Sequence, residues 1–332
     1  MGPRRGWILI LQISLVVGIS LLGSIDPTTR PYFLAVLALT VAFLSASQDI
    51  VIDAYRTEIL RPGERGPGAS VVTVGARIAL LTSGAVALIL ADHLPWQTVY
   101  ALMAAGLGIG IVATLCGPEP EQPIHHPQSL RRAVIEPFKD FLKRKSAVLI
   151  LLFVIFYKFG DAFAVSLATP FLINVGFTMT EIGTVFKGIG IAATVIGALA
   201  GGGIVAKIGT YRSLWIFGIL QAISNLGFLA IAYSGASFPL LLGVIGFDQF
   251  AAGLGTAAFT AFLMALCDVQ FTATQYALLT SVMAIARVTV GVPAGYVVDS
   301  FGWPVFFVIS LFAAVPGLAF LRLLVPKKSM PT

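Results

Sequence analysis

Residues 32–56 read YFLAVLALTVAFLSASQDIVIDAYR, an apolar run from Tyr32 that ends in an amide, two carboxylates and a guanidinium: Gln48, Asp49, Asp53 and Arg56. A charged side chain facing hydrocarbon costs about 2.5–3.5 kcal/mol on insertion scales, so such groups normally face a bundle interior or a water-filled path. Something polar is therefore expected to bind or pass beside this helix. Asp49, Asp53 and Arg56 share one helical face, and Gln48 lies about 100° round from Asp49. Asp53 and Arg56 are expected to form a structural ion pair at the helix end. Gln48 and Asp49, deeper in the span, are candidates for contact with a substrate.

The rest of the chain has the same character. Its 332 residues are 58% hydrophobic and only 11% charged, with a mean hydropathy of +0.95, a composition that excludes a soluble globular domain and indicates an all-α polytopic membrane protein. Apolar runs of about 20 residues fall at 7–23, 32–56, 68–91, 95–116, 147–173, 180–206, 212–233, 237–266, 273–297 and 303–324. Of the 21 lysines and arginines, Arg77, Lys158, Lys187 and Arg287 lie at depth. Arg30 alone falls on one side, and all the others fall on the opposite side. Positive charge collects in the cytoplasm, so both termini are expected there, and the net charge of +6 reflects topology and calls for no nucleic-acid partner. Trp7, Trp96, Trp215 and Trp303 sit at span ends, as an aromatic belt requires. The two cysteines, Cys116 and Cys267, are expected to be reduced. His125 and His126 lie in a Pro-containing segment and suggest solvated loop, not a metal site.

One charged segment, 117–146, divides the chain into 1–116 with four spans and 147–332 with six. Six spans after a central cytoplasmic loop is what one half of a two-halved carrier contains, so the four-span front suggests an incomplete bundle. Ionisable residues at depth occur in every span except the first, fourth, seventh and tenth. That period of three arises when three-helix repeats build each half and one helix in three faces lipid. With two helices restored in front, the silent spans become the peripheral helices of the major facilitator fold.

The deep groups define the chemistry. Lys158 and Asp161 stand three residues apart near mid-bilayer, where each can neutralise the other; a pair that changes partners could take up and release a proton. Asp248 and Gln249 repeat the acid-plus-amide chemistry of Gln48 and Asp49 in reversed order, between Phe247 and Phe250 that would suit a sugar ring. Amides and acids offer directional hydrogen bonds, while Arg77, Lys187 and Arg287 could meet carboxylates. Four deep bases against three deep acids favour an anionic or zwitterionic polar solute. The glycines of 188–203 and 243–255 are read as close helix packing. An enzyme is disfavoured: the Asp49 to Asp53 spacing would need a second carboxylate cluster to hold a metal-bound diphosphate, and no nucleophile–base set or metal motif appears. No cofactor is expected.

The stretches SQDIVIDAYRTEIL, VGARIALLTSGAVALILADHLPWQTVYALMAA, FYKFGDAFAVSLATPFLI, FTATQYALLTSV and AGYVVDSFGWPVFFVISLFAAVPGL resemble, in order through almost the whole chain, the AmpG-type muropeptide permeases of the major facilitator superfamily. The resemblance implies a bacterial inner-membrane carrier that uses the proton gradient to import N-acetylglucosaminyl-1,6-anhydro-N-acetylmuramyl peptides for cell-wall recycling, which feeds β-lactamase induction. It implies transport roles for Gln48, Asp49, Lys158 and Asp161. It also implies two further helices ahead of the basic turn Gly2 to Trp7. The alternatives are a transport-incompetent fragment or membrane scaffold remnant, or a carrier of another polar anionic solute.

Overall fold

A computed structural model of the chain describes residues 2–120, 130–268 and 270–324; His125, His126 and Gln128 of the central segment lie outside the described residues. Every regular element among them is helical. Contacts divide the chain into two compact units, one of Met1–Arg61, Gly75–His126 and Asp268–Tyr276, the other of Pro62–Val74, Pro127–Cys267 and Ala277–Thr332.

In the first unit, α1 (Pro3–Gly23) buries Ile8, Leu11, Gln12, Leu15 and Gly18, a stripe at helical spacing, against α2 (Pro31–Ile59) and a later helix, Trp96–Cys116. Its other face presents Trp7, Ile10, Ile13, Val17 and Leu21 outward, as a lipid-facing helix does. One end of the unit is tied by polar bonds. Arg4 pairs with Glu58 at 2.6 Å, Arg5 Nε donates to the last-turn carbonyl of Thr114 at 2.8 Å, and the Tyr55 hydroxyl donates to Pro118 O at 2.6 Å. A cation at the final carbonyls of a helix satisfies acceptors that have no partner within the helix. The third expected span consists of α3 (Arg65–Leu81), a π turn (Thr82–Val86) and α4 (Ala87–Ala91); α5 is Trp96–Cys116.

The second unit takes Pro62–Val74, and with it the first part of α3, and continues with α6 (Leu130–Lys143), which buries Phe141. The fifth expected span is broken into α7 (Ala147–Tyr157), α8 (Phe159–Ser166) and α9 (Ala168–Val175). The break at Leu167, with φ −118° and ψ 12°, has an identifiable cause in Pro170, which lacks an N–H and crowds the preceding turn. After a Thr178–Glu181 capping box come α10 (Met179–Thr184), a π turn (Val185–Gly190) and α11 (Ile191–Ile208). Then follow α12 (Thr210–Ser234), α13 (Phe238–Leu266), α14 (Thr272–Thr289), α15 (Gly291–Ala313) and α16 (Val315–Leu324).

The glycines expected to serve packing bring α11 and α13 together. A Cβ added at Gly197 would lie 2.2 Å from the backbone oxygen of Phe250, and one at Gly253 would lie 2.3 Å from that of Thr194. Nothing larger than glycine lets the two backbones approach this closely. Phe171, Phe228, Phe306 and Phe307 fill the core beside them, with the Phe171 and Phe307 rings 4.7 Å apart.

Nine stretches among the described residues are long and apolar enough to cross a membrane. The expected span 273–297 is not one of them. It is helical over Thr272–Thr289, but Gln275, the threonines and Arg287 lower its hydropathy. The last expected span is separated from it at Gly302, whose φ of 78° and ψ of 172° leave the helical region and suit glycine. Pro304 then stands in the first turn of the new helix, where its missing N–H costs nothing.

Candidate functional site

Two polar constellations emerge, one on α2 and one among α8, α11, α12 and α13. On α2 the expected Asp53–Arg56 pair closes at 2.9 Å between Oδ1 and Nη2. It has a third member that spacing could not reveal. The same Nη2 donates to the Tyr276 hydroxyl, and the guanidinium lies 5.2 Å over the Tyr276 ring, a cation–π contact. Arg56 is thereby held from two sides. One turn deeper, Gln48 Oε1 is buried with no hydrogen-bond partner, and Asp49 is exposed. Arg77 on α3 belongs to the same unit and is half-buried.

In the second unit, Lys158 sits at the break between α7 and α8, with φ −97° and ψ −3°, and Asp161 occupies the first turn of α8. A carboxylate there is favoured by the helix dipole. Lys158 Nζ stands 3.9 Å from Asp161 Oδ2, close enough for charge attraction and too far for a hydrogen bond. Lys158 is also within electrostatic reach of Arg287 and Asp248.

Asp248 is 1% exposed. Its Oδ1 accepts from Ser224 Oγ at 2.8 Å and its Oδ2 accepts from Gln249 Nε2 at 3.2 Å. Gln249 Oε1 in turn accepts from Thr194 Oγ1 at 3.1 Å. The chain Ser224–Asp248–Gln249–Thr194 thus links α12, α13 and α11. The acid-plus-amide pair expected to meet a substrate spends these hydrogen bonds on the protein itself. Lys187, on the π turn, and Arg287 are exposed.

The structure therefore brings Lys158, Asp161, Asp248, Gln249 and Arg287 into one unit, with Lys187 in the same unit, and keeps Gln48, Asp49, Asp53, Arg56 and Arg77 in the other. Sequence reading placed α12 as the span 212–233 but missed the polar residues on its buried face. The seventh span lacks ionisable residues, yet it buries Gln221, Ser224 and Asn225 while turning Ile216, Ile219, Ile223 and Leu226 outward. A span that faces lipid on one side thus carries a polar stripe on its inner side. The signal was available, because residues 221, 224 and 225 follow helical i, i+3, i+4 spacing inside an otherwise apolar run. Among the described residues no group of three or more His, Cys, Asp or Glu side chains could hold a metal ion.

A sequence profile of the Major Facilitator Superfamily matches residues 1–289. The chain is 47% identical over 322 residues to the anhydromuropeptide permease of Escherichia coli (strain K12), covering 96% of this chain and 66% of that protein, just under two thirds of its length. It is 34% identical over 330 residues to the putative transporter AmpG 4 of Rickettsia felis (strain ATCC VR-1525 / URRWXCal2), covering 97% of this chain and 80% of that one. The crystal structure of the transporter FucP in the outward conformation superposes with a TM-score of 0.73 at 13% identity, covering 98% of this chain and 84% of that chain; at that identity the likeness speaks to fold alone.

Proposed function

The chain belongs to the major facilitator superfamily, a family of multi-pass membrane transporters and not of enzymes, and on that premise we propose that it serves the proton-driven import of anhydro-muropeptides across a bacterial inner membrane. The observation that carries this reading is the 47% identity to an anhydromuropeptide permease, spread over 96% of the chain. The site geometry supports a division of labour. Gln48 has an unpaired buried carbonyl oxygen and stands beside exposed Asp49. With Arg77 of the same unit they supply donors, acceptors and positive charge for acetamido, hydroxyl and carboxylate groups, and Lys187 and Arg287 carry positive charge in the second unit. Lys158 and Asp161, 3.9 Å apart, are loose enough to exchange partners during transport and serve as the proton-responsive pair. Asp248 and Gln249 fix α13 to its neighbours and hold a carboxylate within electrostatic reach of that pair.

Uptake of labelled N-acetylglucosaminyl-1,6-anhydro-N-acetylmuramyl tripeptide tests the reading, in cells deleted for their own carrier and expressing this one. Accumulation should collapse when a protonophore is added. Uptake indistinguishable from that of empty cells, at normal membrane abundance, would refute it. The proposed orientation has its own check. A cysteine at Ser234 should react with an impermeant thiol reagent added to the periplasm, and one at Gln128 should not; labelling of position 128 in intact cells would reverse the topology.

A further inference from the structure

Three buried amide atoms on α12 have no hydrogen-bond partner: Gln221 Nε2, Asn225 Nδ2 and Asn225 Oδ1. Gln221 is 5% exposed and Asn225 1%, so bulk water does not satisfy them, and a buried polar atom left unpaired is costly. The residues stand one helical turn apart on the inner face of α12. The opposing helix, α13, has a glycine where Gln221 arrives. A Cβ added at Gly255 would lie 2.8 Å from Gln221 Oε1 and 3.7 Å from Lys158 Nζ. The Gln221 amide oxygen therefore takes the place that a side chain at position 255 would fill, with the ammonium of the α7–α8 break beside it. Lys158 arrives there with donors to spare, since its partner Asp161 is beyond hydrogen-bonding distance at 3.9 Å. Further along the same two helices, Ser224 bonds Asp248 at 2.8 Å.

We infer that Gln221 and Asn225, with Lys158 beside the bare backbone of Gly255, form a buried hydration site that connects Lys158 to Asp248, making the amides of α12 positioning residues for proton coupling. A bound water needs two to four polar partners, and the amides and the Lys158 ammonium supply them. A proton passed from the ammonium through this water to the Asp248 carboxylate breaks one N–H bond and forms one O–H bond. It leaves a neutral amine and a carboxylic acid and separates no new charge in a low-dielectric interior. The charged and titratable groups facing Lys158 are Asp161, Asp248 and Arg287, together with Tyr157, whose hydroxyl is committed to Leu214 O at 2.9 Å.

The coupling part rests on the carrier reading above, so the test has two arms. In a density map of the full protein fine enough to show ordered solvent, a water should lie at hydrogen-bonding distance from Gln221 Nε2 and Lys158 Nζ. Amides turned to pair with each other, with no water between them and Lys158, would overturn the inference whatever the protein transports. In proteoliposomes, Gln221→Met and Gly255→Ala should each lower proton-driven accumulation about tenfold while substrate counterflow, which needs no net proton movement, stays near the unmodified level. Gln221→Asn, which keeps the amide, should recover most of the loss. Unchanged accumulation in both variants, or equal loss of counterflow and accumulation, would also overturn it. If the water is present but the unmodified protein moves no anhydro-muropeptide, the substrate reading falls and the hydration site stands.

Discussion

Asp49 on α2 and Asp248 on α13 carry the same group next to the same kind of neighbour, and the protein treats them oppositely. Asp49 is exposed, and the adjacent Gln48 has a buried oxygen without a partner. Asp248 is 1% exposed with both carboxylate oxygens bonded. The helices differ in the same sense: none of the apolar window of Pro31–Ile59 is buried, against 56% of that of Phe238–Leu266. A group meant to seize a passing solute must keep hydrogen-bonding capacity in reserve, whereas a group that holds helices together must have spent it. The first arrangement suits contact with cargo and the second suits a scaffold that also transmits charge.

The largest effect should come from the group between these two roles. Lys158→Ala leaves Asp161 without its counter-ion in a setting where an unpaired charge is strongly disfavoured. Proton-driven accumulation is expected to drop by at least about 100-fold at normal membrane abundance. Retained gradient-driven uptake would reduce the pair to packing and remove the functional side of the comparison.

The comparison itself is broken or sharpened by truncating both acids. Asp248→Ala strands the Gln249 amide, leaves the Ser224 hydroxyl only the Gln221 carbonyl as acceptor, and should lower stability by about 1–3 kcal/mol, read as a fall in the thermal unfolding midpoint in detergent. Asp49→Ala should stay within about 0.5 kcal/mol of the unmodified protein while impairing uptake. Equal destabilisation by the two would mean that exposure does not separate their roles.

The smallest expected changes compare backbones, not charges. Gly197→Ala drives a methyl to 2.2 Å from Phe250 O and should cost about 1–3 kcal/mol through overpacking. Gly75 on α3 has nothing within 4 Å of an added Cβ, so Gly75→Ala should leave stability unchanged or raise it by up to about 1 kcal/mol. The same thermal unfolding measurement checks both.

Much of this was legible in residue order. Apolar run length, the cost of burying charge and the side on which arginines fall are properties of a stretch read alone, so class and span positions came from sequence. The Asp53–Arg56 pair and the Lys158–Asp161 pair were legible for the same reason, since i, i+3 neighbours on a helix meet wherever that helix goes. Span 273–297 shows the limit of run-reading: the helix is there over Thr272–Thr289, but its polar residues keep it below the apolarity of the other nine stretches.

The tertiary structure decided which polar groups are spent. Nothing local separates Asp49 from Asp248, because the partners that satisfy the latter come from Ser224, 24 positions away, and from Gln249, itself held by Thr194 on a third helix. Tyr276 over Arg56 lies 220 positions away, and the convergence of Gln221 and Lys158 at Gly255 exists only where three helices cross. Sequence determines what each side chain can bond. Whether that capacity is used is settled by distances of about 3 Å between helices, and only packing sets those.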